Sequence, residues 1–169
     1  MSVLRGPSAH IDTCASPPES VDNAAMVTDA RVAEYESVVA AVTKWAESQA
    51  DIVAVGVAGS WARGNQHNGS DVDFVVLTPH KTAYTARDGW VETALGRAVP
   101  VVRRAEWGVL AERRLTLPSG LEIEFGFAVP SWARTDPINP GTAGVVVDGG
   151  FLPVYDPDEL LVRLAAATS

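Results

Sequence analysis

Two short polar motifs, each attached to an apolar run, constrain the fold of this chain more than any other feature. The first follows the apolar run Ile52–Ala58, which leads directly into Gly59-Ser60 and predicts a buried strand ending in a tight turn. A short helix that begins at Ser60 would expose unpaired backbone N–H groups, which bind anions. The motif therefore predicts a strand, a turn and a helix arranged to bind phosphate.

The second motif is the pair Asp71 and Asp73, at the start of an apolar strand that runs to Leu77. Side chains alternate along a strand, so both carboxylates project from one face, about 7 Å apart along the chain. They repel each other unless a divalent cation lies between them. A turn over residues 68–71 is the alternative explanation for these aspartates. A phosphate site beside paired carboxylates is typical of phosphoryl or nucleotidyl transfer.

Together the two motifs resemble the signature of the DNA polymerase beta-like nucleotidyltransferases, in particular the minimal single-domain members. That signature is Gly-Ser, then Asp-x-Asp heading a strand, then a third acidic residue on a later strand. Gly59, Ser60, Asp71 and Asp73 match its first two parts. The resemblance extends over residues 29–166 and implies an α+β fold, in which helices pack on a mixed β-sheet.

The resemblance also implies a reaction and a set of binding residues. Asp71 and Asp73 would hold two Mg²⁺ ions that bridge a nucleoside triphosphate, and an acceptor hydroxyl would attack its α-phosphorus to release pyrophosphate. The implied nucleotide-binding residues are Gly59, Ser60, Arg63 and Ser70. For Arg63, a solvated position on the helix surface is the alternative.

The third acid is expected on a β-hairpin formed by residues 109–117 and 121–127. A loop at residues 118–120 would place Arg114 across from Glu124 and leave Glu122 and Glu124 on the face opposite the apolar residues. A cross-strand ion pair on a solvated sheet explains the same pattern. We favour Glu124 over Glu122 as the third metal-side carboxylate because it lies deeper in the strand. The family more often has aspartate here.

The remaining pattern divides the chain into a flexible tail, residues 1–27, and one domain, residues 28–169. Thr28 is expected to cap a helix that ends near residue 50, and residues 82–95 are expected to form a single helix. Asp156 is expected to be the N-cap of the last helix, with Pro157 at its first position.

Trp61 is the favoured tryptophan for stacking on a nucleobase. The arginine pairs at 103–104 and 113–114 are expected to be solvated.

Composition narrows the class of partner and the location. The formal net charge of the 169 residues is −8, which argues against a long nucleic acid but not against a triphosphate that arrives with Mg²⁺. The single cysteine, Cys14, precludes an internal disulfide and fits a reducing compartment. The sequence shows no signal peptide and no membrane span, so we predict a cytoplasmic protein.

These observations predict a Mg²⁺-dependent enzyme that moves a nucleoside monophosphate to an acceptor hydroxyl. AMP from ATP is the expected donor group, by the family resemblance only. The acceptor is open: relatives use small molecules, protein side chains and RNA ends, and a partner subunit could supply the acceptor surface. The alternative is a catalytically silent, antitoxin-like module that binds a nucleotide or a partner. Convergence of Asp71, Asp73 and Glu124 on one point would favour the enzyme.

Overall fold

The chain is described by a computed structural model over residues 26–169. Its centre is one six-stranded sheet in the order β3-β4-β5-β2-β1-β6. The strands are β1 (Ala54–Ala58), β2 (Val72–Leu77), β3 (Val101–Trp107), β4 (Leu110–Thr116), β5 (Glu122–Ala128) and β6 (Phe151–Tyr155). β2 and β5 are parallel, whereas the other neighbouring strands are antiparallel. The predicted α+β class with a mixed sheet is confirmed.

Helices cover both faces of this sheet. The α-helices are α1 (Asp29–Ser48), α2 (Ser60–Arg63), α3 (Lys81–Thr85), α4 (Trp90–Leu95), α5 (Pro140–Ala143) and α6 (Leu160–Ala167). A 3₁₀-helix (Pro130–Ala133) and a π-helix (Gly144–Asp148) complete the chain. Within residues 26–169, no helix combines the length and the apolarity that crossing a membrane requires.

Two apolar cores, one on each face, fix the sheet in place. On one face, α1 and α4 pack over alternate residues of β1, β2 and β5, with Phe74, Phe125 and Phe127 almost fully buried. On the other face, Leu161 and Leu164 of α6 pack with Trp132 against β1, β2 and β5. This second core covers only part of its face. The uncovered part holds the acidic residues described below.

The predicted tail cannot be assessed, because residues 1–25, including Cys14, lie outside the described part of the chain. Met26, the first described residue, forms an isolated antiparallel bridge with His67. Helix α1 begins as expected: the Thr28 hydroxyl accepts a hydrogen bond from the Arg31 N–H at 3.2 Å. The division at residue 27 remains a prediction.

The single helix expected over residues 82–95 is wrong, because the chain breaks between α3 and α4. Side chains bind the carbonyls at the end of α3: Trp90 Nε1 donates to the Tyr84 carbonyl at 2.8 Å, and Arg113 Nη2 donates to the Thr85 carbonyl at 2.7 Å. These contacts replace helical hydrogen bonds just before Gly89, a weak helix former. The expectation that Arg113 is solvated is also wrong, since it is only 5% exposed.

The last helix starts later than expected. α6 begins at Leu160, so Pro157 is not its first residue. The N-cap residue is Glu159 rather than Asp156, but the Asp156 carboxylate accepts hydrogen bonds from the N–H groups of Leu160, Leu161 and Val162 at 2.8–2.9 Å. The carboxylate therefore satisfies the first turn of the helix across an intervening turn.

Candidate active site

One row of paired residues crosses the sheet at the site. Ala58 at the end of β1 pairs with Asp73 in β2, Asp73 pairs with Glu124 in β5, and Glu124 pairs with Arg114 in β4. Gly59 follows Ala58 directly. The expected hairpin register, with Arg114 across from Glu124, is confirmed. The parallel pairing of β2 with β5, which places Asp73 beside Glu124, could not be read from the hairpin alone.

The turn after β1 depends on Gly59. Its backbone has φ +80° and ψ −154°, a conformation that only glycine adopts readily. A Cβ atom there would lie 2.7 Å from Asp73 Oδ2. Helix α2 begins at Ser60, so the predicted strand, turn and helix are confirmed. The turn brings a backbone without a side chain against the carboxylate of Asp73.

Three carboxylates meet beside this turn. Asp71, Asp73 and Glu124 each offer one oxygen, and these oxygens lie within 4.8 Å of one another. Glu122 is not a member of this group, and its Oε2 instead lies 3.1 Å from an Arg114 nitrogen. Carboxylate oxygens in this arrangement suit a hard divalent cation such as Mg²⁺. The residues present therefore fit a metal ion, and Glu124 rather than Glu122 completes the group.

The electrostatics of Asp73 point the same way. The pKa of Asp73 is raised to about 6, mainly by burial and also by the charges of Asp71 and Glu112, while the Arg114 guanidinium opposes the shift. At neutral pH the carboxylate is mainly charged, in surroundings that disfavour the charge. A bound cation would remove this penalty, because it neutralises the group that burial and like charge destabilise.

Arg114 is the cation nearest these acids. Its guanidinium contacts Glu124, and Nη2 lies 3.7 Å from Asp71 Oδ2. The Arg114–Glu124 ion pair expected from the hairpin is therefore present, but Glu124 is not tied to Arg114 alone. Its carboxylate also converges with Asp71 and Asp73. That convergence is the feature expected of the enzyme rather than of the silent module.

Two of the predicted nucleotide-binding residues are engaged elsewhere. Arg63 Nη1 donates to the Asp148 carbonyl at 2.8 Å, and the buried Ser70 hydroxyl accepts from the His67 N–H at 3.0 Å. The favoured base-stacking role of Trp61 is wrong, since the residue is 7% exposed and stacks on Tyr35 with ring centroids 4.0 Å apart. Gly59 lines the acidic site together with Asp71, Asp73 and Glu124.

The carboxylates open into a cavity of about 320 Å³. Its wall on the β3–β4 side contains Trp107, Leu110 and Glu112, and its opposite wall contains Val145 and Gly149. Sequence reasoning missed all five. The hairpin register could have identified Glu112, which lies two residues from Arg114 and therefore on the same face. Trp107 gave no signal, because its place beside the site comes from the pairing of β3 with β4.

Comparison with protein families gives one match. Residues 40–113 match the model of the nucleotidyltransferase domain family. The matched segment contains β1, the Gly59 turn, α2 and the Asp71/Asp73 pair, and it ends within β4, before Glu124. A search of curated proteins returned no match to the chain.

Several solved structures are similar at low identity. A cytoplasmic RNA terminal U-transferase is 16% identical, with a TM-score of 0.46, over 64% of this chain and 33% of that one. Cid1 poly(U) polymerase with Mg and 3′-dATP is 15% identical, with a TM-score of 0.47, over 60% and 32%. Cid1 with the UTP analogue UMPNPP is 16% identical, with a TM-score of 0.45, over 60% and 32%.

The chain thus spans about a third of the length of these solved structures. The family match covers the Gly59 turn and the aspartate pair, and the fold supplies a third carboxylate from the neighbouring strand. Residues 40–113 are accordingly similar to a nucleotidyltransferase domain.

Proposed function

We propose that this protein transfers a nucleoside monophosphate, AMP from ATP, to a hydroxyl group of an acceptor in a Mg²⁺-dependent reaction. The observation that carries the proposal is the convergence of Asp71, Asp73 and Glu124 beside the Gly59 turn. ATP as the donor rests on the family resemblance. The acceptor is a small molecule or a protein, because a net charge of −8 disfavours a long nucleic acid.

Neighbouring strands of the sheet supply the residues that bind the triphosphate and the metal ion. Backbone N–H groups at Gly59 and Ser60 bind the terminal phosphates of the triphosphate, where a side chain at residue 59 would obstruct the approach. Asp71, Asp73 and Glu124 hold Mg²⁺. When bound, Mg²⁺ supplies the positive charge that neutralises the phosphates and stabilises the charge developing during transfer.

The transfer is a single displacement at the α-phosphorus. The acceptor oxygen forms a bond to the α-phosphorus as the bond from that phosphorus to the bridging oxygen breaks, and its electron pair leaves with pyrophosphate. The hydroxyl proton passes to Glu124, the carboxylate farthest from the Gly59 turn across the sheet. A cytoplasmic location and a partner subunit that supplies part of the acceptor surface remain predictions from the sequence.

A matched pair of glutamate variants tests this assignment. Glu124→Gln should weaken Mn²⁺ binding in the presence of a non-hydrolysable ATP analogue at least about tenfold, because one of three carboxylate ligands loses its charge. Glu122→Gln should change the affinity less than about twofold. Isothermal titration of Mn²⁺ measures both.

The control is close because both glutamates contact Arg114. Each variant therefore loses one ion pair with Arg114. Only Glu124→Gln also removes a charge from the cluster of Asp71, Asp73 and Glu124. Equal affinities for the two variants, or a greater loss in Glu122→Gln, would show that Glu124 is not the third ligand.

A further inference from the structure

An exposed tryptophan at the edge of the active-site cavity is hydrogen-bonded to a buried glutamate. Trp107 is 61% exposed, yet its indole N–H donates to Glu112 Oε2 at 2.5 Å. Glu112 is only 5% exposed, and its other oxygen accepts from Arg103 Nε at 2.7 Å. Both oxygens of the buried Glu112 carboxylate accept hydrogen bonds, and the one from Trp107 restricts the orientation of the indole. The indole itself stays largely exposed. A large apolar side chain held in this way provides a preformed surface for stacking.

The space beside Trp107 is lined mainly by apolar residues. Leu110 and Val145 line the cavity there, and Gly126 of β5 contributes a stretch of floor without a side chain. A Cβ at residue 126 would lie 3.3 Å from Leu110 Cδ2, so the glycine keeps this floor open. The apolar walls with a few polar groups at one end are typical of a small-molecule site. The exposed indole offers a flat ring a surface on which to stack at this end of the cavity.

The order of the strands in the sheet indicates whether the triphosphate or the acceptor lies next to Trp107. From β1 to β3 the successive strands contribute the Gly59 turn, Asp73, Glu124, Glu112 and Trp107 to the cavity. Glu112 pairs with Gly126 rather than with Glu124, so Glu112 and Trp107 lie further along the strands than the row of Asp73, Glu124 and Arg114. In a displacement at phosphorus, the attacking and leaving oxygens lie roughly in line. Pyrophosphate leaves on the side of the Gly59 turn, so the acceptor oxygen arrives from the side of Glu124. The acceptor therefore extends toward β4 and β3.

We propose that Trp107 binds the acceptor, and that the acceptor carries its hydroxyl group next to a flat, largely apolar ring that stacks on the indole. The inference rests on the proposed function, since it takes the direction of the acceptor from the transfer reaction. Glu112, which also contacts Arg103, accepts the hydrogen bond of the indole N–H at the edge of the ring.

The full chain labelled with 5-fluorotryptophan tests the contact directly. Its five tryptophans should each give a ¹⁹F resonance, and the Trp107→Phe variant identifies the one from Trp107. The chain is saturated with Mg²⁺ and α,β-methylene ATP and then titrated with tyrosinamide or adenosine. Serinamide and methyl riboside are the matched hydroxyl compounds without the flat ring. We expect the Trp107 resonance to shift with the first two compounds only, while that of the buried Trp61 stays unchanged.

Two variants separate stacking from the hydrogen bond to Glu112. Both Trp107→Phe and Trp107→Ala lose the indole N–H, but only the phenylalanine keeps a ring. Affinity for tyrosinamide, measured by ligand-observed saturation-transfer NMR, should fall less than about threefold in Trp107→Phe and at least about fivefold in Trp107→Ala. Affinity for the ATP analogue should be the same in both.

Four results would overturn the proposal. Triphosphate binding with no Trp107 shift for any compound, or an equal shift with the ring-free compounds, would exclude the acceptor ring. Weaker binding of the ATP analogue in Trp107→Ala, with tyrosinamide unaffected, would assign the tryptophan to the nucleobase. Absence of any Mg²⁺-dependent triphosphate binding to the unaltered chain would contradict the proposed function as well, which distinguishes the two failures.

Discussion

Asp73→Asn should abolish nucleotidyl transfer and at the same time make the protein more stable at neutral pH. The carboxylate is a proposed metal ligand, and removing its charge should slow transfer at least about a hundredfold. Burial and the neighbouring Asp71 raise the pKa of Asp73 to about 6. Asparagine removes the charge that this environment disfavours, so the variant should gain about 1–3 kcal/mol in free energy of unfolding at pH 7.

The pH dependence of this gain follows from the direction of the shift. The folded-state pKa, about 6, lies above the ordinary value of 3.8, so the folded protein binds the proton more tightly than the unfolded chain. Below about pH 4 both states are protonated and the carboxyl carries no penalty. As pH rises from about 4 to 6, the unaltered protein should lose stability relative to Asp73→Asn, and the difference should be constant above that range.

Urea unfolding at several pH values, with Glu122→Gln as the control, measures this difference. Glu122 lies on the same face of β5 but outside the carboxylate group, so its variant should show no comparable gain. A fall in the stability of Asp73→Asn at pH 7 would mean that Asp73 is a structural residue. Such a result would also remove the electrostatic argument for a cation.

Gly59→Ala should have the second large effect, on folding and binding together. Its Cβ would lie 2.7 Å from Asp73 Oδ2, and its backbone conformation is one that alanine rarely adopts. We expect a loss of about 1–3 kcal/mol in free energy of unfolding and loss of triphosphate binding, because the turn or Asp73 must move. Thermal unfolding and isothermal titration of ATP with Mg²⁺ measure the two effects.

Gly64→Ala provides the matched control for backbone strain. Gly64 also has positive φ, +73°, but a Cβ there would meet no atom within 4 Å. This variant should lose about 1–2 kcal/mol and bind triphosphate normally. Equal triphosphate binding by Gly59→Ala and the unaltered chain would show that close approach of the Gly59 backbone is not needed.

Local patterns in the sequence predicted the parts of the fold that local chemistry determines. The hairpin register followed from the alternation of apolar residues in 121–127 and from Gly120, which has φ +85°. The start of α1 followed from Thr28, whose hydroxyl caps the first turn. In both cases residues close in sequence make the decisive contacts.

The errors occurred where distant residues decide the structure. The break between α3 and α4 depends on Arg113, which reaches the Thr85 carbonyl from β4. The burial of Trp61 depends on Tyr35 of α1. At the site, the sequence predicted the identities of the acids, whereas the parallel pairing of β2 with β5 brings Glu124 to them. No local pattern contains these contacts.

Isothermal titration of ATP, and separately of GTP and CTP, with Mg²⁺ against the unaltered chain and Asp71→Asn/Asp73→Asn tests the central claim most directly. The account predicts that at least ATP binds the unaltered chain only when Mg²⁺ is present, and that the double variant loses this binding while remaining folded. Binding of no triphosphate to the unaltered chain, or equal binding to both proteins, would contradict a triphosphate site built on these carboxylates.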